Sequence, residues 1–83
     1  MKIPVIRQLY QNSSPEDLEA TLNVLEAFCE FRGVHEAEID VAGELITNIC
    51  GALEVHAGVR SGAQEKDALN TFAQKVMGSI DKT

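Results

Sequence analysis

A chain of 83 residues is the length of one domain, and a formal net charge of −6 with a pI near 4.7 sets most of its surface against a phosphate backbone, so nucleic acid is excluded as a partner. Three Phe, one Tyr and no Trp leave the core to aliphatic side chains. A chain this short buries only about 60–65% of its unfolded surface, so an added stabiliser is expected: a disulfide, a metal or a partner subunit.

The lead-in, residues 1–12, fits two conformations. Ile3, Val5, Arg7 and Leu9 alternate as in a strand, while Ile6, Leu9 and Tyr10 share one helical turn after Pro4. A lone strand has no ladder partner in the same chain, so a short helix or an extended arm is expected. The apolar run after Lys2 stops at Arg7, too soon for a secretion signal. Two cysteines, Cys29 and Cys50, are then expected as thiols in the cytoplasm.

Residues 14–32 form the first long helix. Ser14 suits the N-cap, Pro15 the first helical position, and Glu16 and Asp17 the positive end of the dipole. Leu18, Leu22, Leu25 and Cys29 repeat on one face, and Val24, Phe28 and Phe31 widen it. Glu19, Asn23, Glu26 and Glu30 take the opposite, solvated side. Gly33 is placed to end the helix as a left-handed C′ residue.

Residues 35–61 form the second helix, either continuous from the HEAEID segment or restarting at Val41 with Asp40 as cap. It is apolar on most sides, which marks a buried helix. Its longest uncharged stretch, Leu45 to Leu53, is far short of the roughly twenty residues of a membrane span, so no membrane partner is expected. Residues 64–81 form the third helix, with Leu69, Phe72, Ala73, Val76, Met77 and Ile80 as its apolar stripe.

Within the second helix Gly43, Gly51 and Gly58 fall on one side with Thr47. Each glycine costs up to about 1 kcal/mol against alanine in a helix. Close approach of another helix offsets that through added dispersion contacts. These four residues are the interface candidates. Two long helices with wide apolar arcs also carry more apolar surface than a three-helix monomer covers, so a homodimer or larger assembly is expected.

The candidates for chemistry are Cys50, Glu54 and His56. Cys50 and His56 are six residues apart and point about 120° from each other on a regular helix, so they cannot share one metal or form a direct dyad. There is no Glu-x-x-His pair for a di-iron site and no C-x-x-C. HEAEID lacks the order of a calcium loop. An acyl carrier would need a serine in an Asp-Ser-Leu-like context, which is absent, and a helical chorismate mutase needs several arginines where this chain has Arg7, Arg32 and Arg60 scattered along it. No metal or cofactor is expected. Cys29 and Cys50 read as small buried hydrophobes and His56 as a hydrogen-bonded core or interface histidine. A buried Glu54 would need Arg32 or Arg60 as partner.

The segments GELITNICGALEVH, QKVMGSIDKT and KIPVIRQLYQ resemble those of a family of short bacterial proteins without assigned function. The resemblance implies a small, stand-alone helical protein of bacterial origin and assigns no residue a role. Together these readings give an all-α domain spanning 1–83, three main helices with a short N-terminal element, assembled with itself. The leading expectation is a non-catalytic oligomeric interaction or regulatory protein that binds itself, with another protein as a second partner. The alternative is a small-molecule-binding protein or enzyme with a site at the Gly51–Gly58 groove, lined by Cys50, Glu54 and His56.

Overall fold

In the computed structural model the described residues are 1–81, with side chains described through Val76. They form four helices: α1 (Ile3–Asn12), α2 (Pro15–Cys29), α3 (Glu36–Arg60) and α4 (Glu65–Asp81), and no strand among the described residues. The fold is all-α, and the lead-in is a helix. Pro4 occupies the first turn of α1, where its missing N–H is not needed. The Val5 and Ile6 amides then donate back to the Lys2 carbonyl, both at 3.0 Å.

Sequence signals at the helix ends are partly realised. Ser14 Oγ accepts from the Asp17 amide at 3.1 Å and starts α2. That helix ends at Cys29, ahead of Gly33. Its end is instead a tightening of the last turn: the Glu30 amide donates to Ala27 and Phe31 to Phe28, and the Val34 amide then closes a turn on Phe31. Gly33 has no positive φ; among the described residues Gly62 alone does, at 107°. Gly62 closes α3. Its amide donates to the Val59 carbonyl, and the next amide, Ala63, donates to Gly58, both at 3.0 Å. This is the paired bonding of a Schellman end, and it needs a residue without Cβ at Gly62. At its start, α3 is continuous through Asp40 rather than restarting there.

α3 is the hub. α1, α2 and α4 each pack on it, α1 also touches α4, and among the described residues α2 meets only α3. The Lys2 amide sits at Asn48 and the Ser13 carbonyl at His56, so α1 runs parallel to α3. α4 runs the other way, with Ala68 at Gly58 and Phe72 at Gly51. The eight-residue core joins Ile6, Leu18, Ile49, Ala52, Val55, Ala68, Leu69 and Phe72. Leu69 and Phe72 are buried and Ala73 and Val76 half-buried, as the stripe on α4 requires; Met77 and Ile80 lie outside the described side chains.

Gly51 and Gly58 fit the close-approach argument within the chain. A Cβ on Gly51 would lie 2.8 Å from Ile6 Cδ1 and 2.8 Å from Phe72 Cε2, and one on Gly58 would lie 3.0 Å from Ala68 Cβ. α1 and α4 therefore fill this part of the groove. Among the described residues a Cβ on Gly43 would meet nothing within 4 Å. Thr47 turns its hydroxyl inward to donate to the Gly43 carbonyl at 2.9 Å.

The helix lengths explain the contrast. α3 has 25 residues and is about 37 Å long, while α1 has 10 and is about 15 Å long. α1 begins beside Glu44 and Asn48, so it leaves the N-terminal part of α3 uncovered. Among the described residues α2 alone packs there, and the two helices project as an arm. Between Glu19 and Thr47 the single buried residue is Ala42. The molecule is correspondingly flat, 43 × 33 × 18 Å.

Candidate functional site

The three chemical candidates on α3 do not converge. His56 lies half-buried against the C-terminal end of α1, with its Nε2 donating to the Ser13 carbonyl at 3.0 Å; since a carbonyl only accepts, this nitrogen carries a proton. Its ring sits 4.5 Å from the Tyr10 ring, tilted by 51°. The histidine thus clamps α1 to α3 at the opposite end from the Lys2–Asn48 bond.

Glu54 is exposed on another flank. Its partner is neither Arg32 nor Arg60 but Lys75 on α4, whose Nζ lies 3.1 Å from Glu54 Oε1. Both side chains are at least half exposed, so this pair contributes little. Cys50 is half-buried between Glu26 and Glu54. Burial pushes its thiol above the ordinary value, and both carboxylates push it in the same direction. A thiol held protonated is a weak nucleophile and a weak metal ligand. Cys29 is half-buried too.

Two shallow depressions lie on this flank. One of about 340 Å³ is lined by Glu54, Gly58, Ala68 and Phe72 among others, the second of about 370 Å³ by Cys50, Leu53, Glu54, Ala57 and Phe72. His56 lines neither, so the trio proposed for one groove is split across two sides of α3. Among the described residues no three His, Cys, Asp or Glu side chains gather to hold a metal ion.

The remaining polar contacts inside the fold hold α1. Asn48, the single buried polar side chain among the described residues, accepts the Lys2 amide at 3.0 Å. The amine of Met1 lies 2.8 Å from a Glu44 carboxylate oxygen. That contact holds the Glu44 carboxyl below its usual value, the amine's hydrogen bond being the largest cause. The helical pattern gave no sign of what Asn48 and Glu44 bind, because their partners are backbone groups of a segment whose conformation was open.

The most conspicuous surface feature is on the arm. A groove of about 490 Å³ runs between α2 and α3, lined by Leu25 and Phe28 on one side and Ala37, Val41, Ala42 and Leu45 on the other, with Glu38 at its edge. The apolar side chains around it are unusually open: Val24 is 69%, Phe31 74%, Val41 62% and Leu45 45% exposed. The Glu38 carboxylate is already engaged, accepting the His35 amide at 3.0 Å. The sequence signal for this surface was the width of the apolar arc on α2, which exceeds what one neighbouring helix covers.

The comparison with families matches residues 1–81 to a single family model. The chain belongs to the family of unknown function DUF6952. No curated protein and no solved structure matches it. Among its described residues no helix is long and apolar enough to cross a membrane.

Proposed function

We propose that this protein is a small, non-catalytic interaction or regulatory module of the bacterial cytoplasm that works as a homo-oligomer. The observation that carries this reading is the arm: residues 19–47 hold one buried side chain, Ala42, while Val24, Phe28, Phe31, Val41 and Leu45 stay exposed along it. Monomeric proteins rarely leave such a contiguous apolar face open, and interaction surfaces do. The thiols Cys29 and Cys50, both unpaired, suit a reducing compartment. The competing reading, a small-molecule site at Gly51–Gly58, has less support. Its glycines are packed by Ile6, Phe72 and Ala68, and its reactive side chains point to separate partners.

Native mass spectrometry of freshly purified protein tests the choice. A bare dimer or larger assembly is the expected result. A monomer carrying an added mass that leaves on denaturation would replace this reading with the ligand-site one.

A further inference from the structure

We propose that the α2–α3 groove is the seat of a second copy of this chain, packed about a two-fold axis so that the two arms complete one four-helix layer. The inference rests on the self-association reading above and adds which face associates and how.

The first argument is size. The exposed parts of Val24, Phe28, Phe31, Val41 and Leu45 amount to roughly 500 Å² of apolar surface, given about 150–250 Å² for a whole aromatic side chain. A standard stable interface takes roughly 800 Å² from each partner, with an apolar centre and a polar rim. These five side chains alone supply more than half of that area.

The second argument is self-complementarity, which a two-fold interface demands because one patch must fit itself. This face carries both a recess and a protrusion. The recess is the groove of about 490 Å³, and about 150 Å³ already admits a benzene ring. The protrusion is Phe31, in the turn at the arm's tip, just beyond the α2 residues that line the groove. An axis between tip and groove brings each Phe31 over the other copy's recess.

The third argument is charge. A basic amphipathic helix, the main rival occupant, would need acidic side chains flanking the groove. On α2, Glu26 is two positions from Phe28 and so stands about 160° round the helix from it, and Glu30 caps the helix end. Neither of them lines the groove. The groove edge carries Glu38 alone, and its carboxylate caps α3. Like faces therefore meet without a row of like charges.

Light scattering on a sizing column, run over a concentration series, tests this with three variants. Val41→Glu and Phe31→Glu place a charge in the interface at positions that are mostly solvent-exposed in the single chain, and should weaken self-association at least 100-fold. Ile39→Glu changes another exposed apolar residue, about 160° round α3 from Val41, and should leave it unchanged. Circular dichroism checks that each variant is helical. Should Val41→Glu fail to fold, Val41→Ala replaces it, with association weakened roughly tenfold. Wild type and all three variants equally dimeric would overturn this surface while leaving self-association standing. A wild-type monomer at every concentration would overturn both, as would recovery of a stable one-to-one complex with a foreign chain in place of the dimer.

Discussion

Gly43 and Gly51 lie about two turns apart on the same helix, and they have opposite surroundings. Gly51 is pressed between Ile6 and Phe72, with no room for even a methyl group. A Cβ on Gly43 would meet nothing within 4 Å among the described residues. The difference belongs to the neighbours, not to the glycines. At Gly51, α1 and α4 close on α3 from two sides; at Gly43 neither takes up the space a side chain would fill. Base and arm are thus built on one continuous helix but finished to different degrees. The base is packed by its own chain, and the arm presents an apolar face that the described residues leave open. A helix that is apolar on most sides does not reveal which stretch is covered internally.

The comparison can be tested where its two halves should diverge. The largest effect is expected at Ile6, which is fully buried against Gly51. Ile6→Ala should lower stability by about 2–5 kcal/mol, read from urea unfolding at fixed protomer concentration, since association shifts the midpoint by mass action. An effect below about 1 kcal/mol would show that α1 is loosely held. Gly51→Ala comes next. The added methyl must displace Ile6 and Phe72 and should cost about 1–3 kcal/mol, the usual range for overpacking.

Gly43→Ala should go the other way. With nothing in its path, the methyl removes the helix penalty of glycine and should stabilise by up to about 1 kcal/mol. If both glycine variants destabilise alike, the contrast between base and arm is wrong; a destabilised Gly43→Ala alone would mark an intermolecular close approach there.

The mildest expected effect is on the acid side of the pH profile. The Glu44 carboxyl is held below its ordinary value in the folded chain. Its stabilising contribution is therefore present above the unfolded carboxyl pKa of about 4.3 and is lost as pH falls through the lower folded value. Glu44→Gln should flatten the fall of the thermal midpoint as pH drops below about 5. An unchanged slope would mean that other carboxylates carry the whole dependence.

Much of the fold was legible because it follows from local chemistry. Ser14 followed by Pro15 and two acids marks a helix start by hydrogen bonding and dipole alone, and the Ser14–Asp17 bond is there. Leu18, Leu22 and Leu25 face α3 because three- and four-residue steps leave them no other side. Gly33 misled, since a glycine after a helix ends it only if the chain adopts a positive φ there, and the last turn of α2 tightens first. The helical lead-in was undecidable locally. Its conformation is held by Asn48, Glu44 and His56, which lie more than forty residues away. The candidate site was legible only in its parts. The 120° divergence of Cys50 and His56 was readable from spacing, but the lysine that pairs with Glu54 was not, because it comes from α4. The exposure of Val24, Phe31, Val41 and Leu45 depends on where α1 begins along α3, a matter of register that no periodicity encodes.

The hydrogen bonds of α1 also set the order of events during synthesis. This helix is made first, yet its seat is made late: Asn48, Gly51 and Phe72 must all follow before Ile6 has anywhere to go. Ten residues alone make a marginal helix in water. At about 5–20 residues per second, α1 waits several seconds for its seat. Through that interval Ile6 stays without its native neighbours, so the base closes only after α4 has been made.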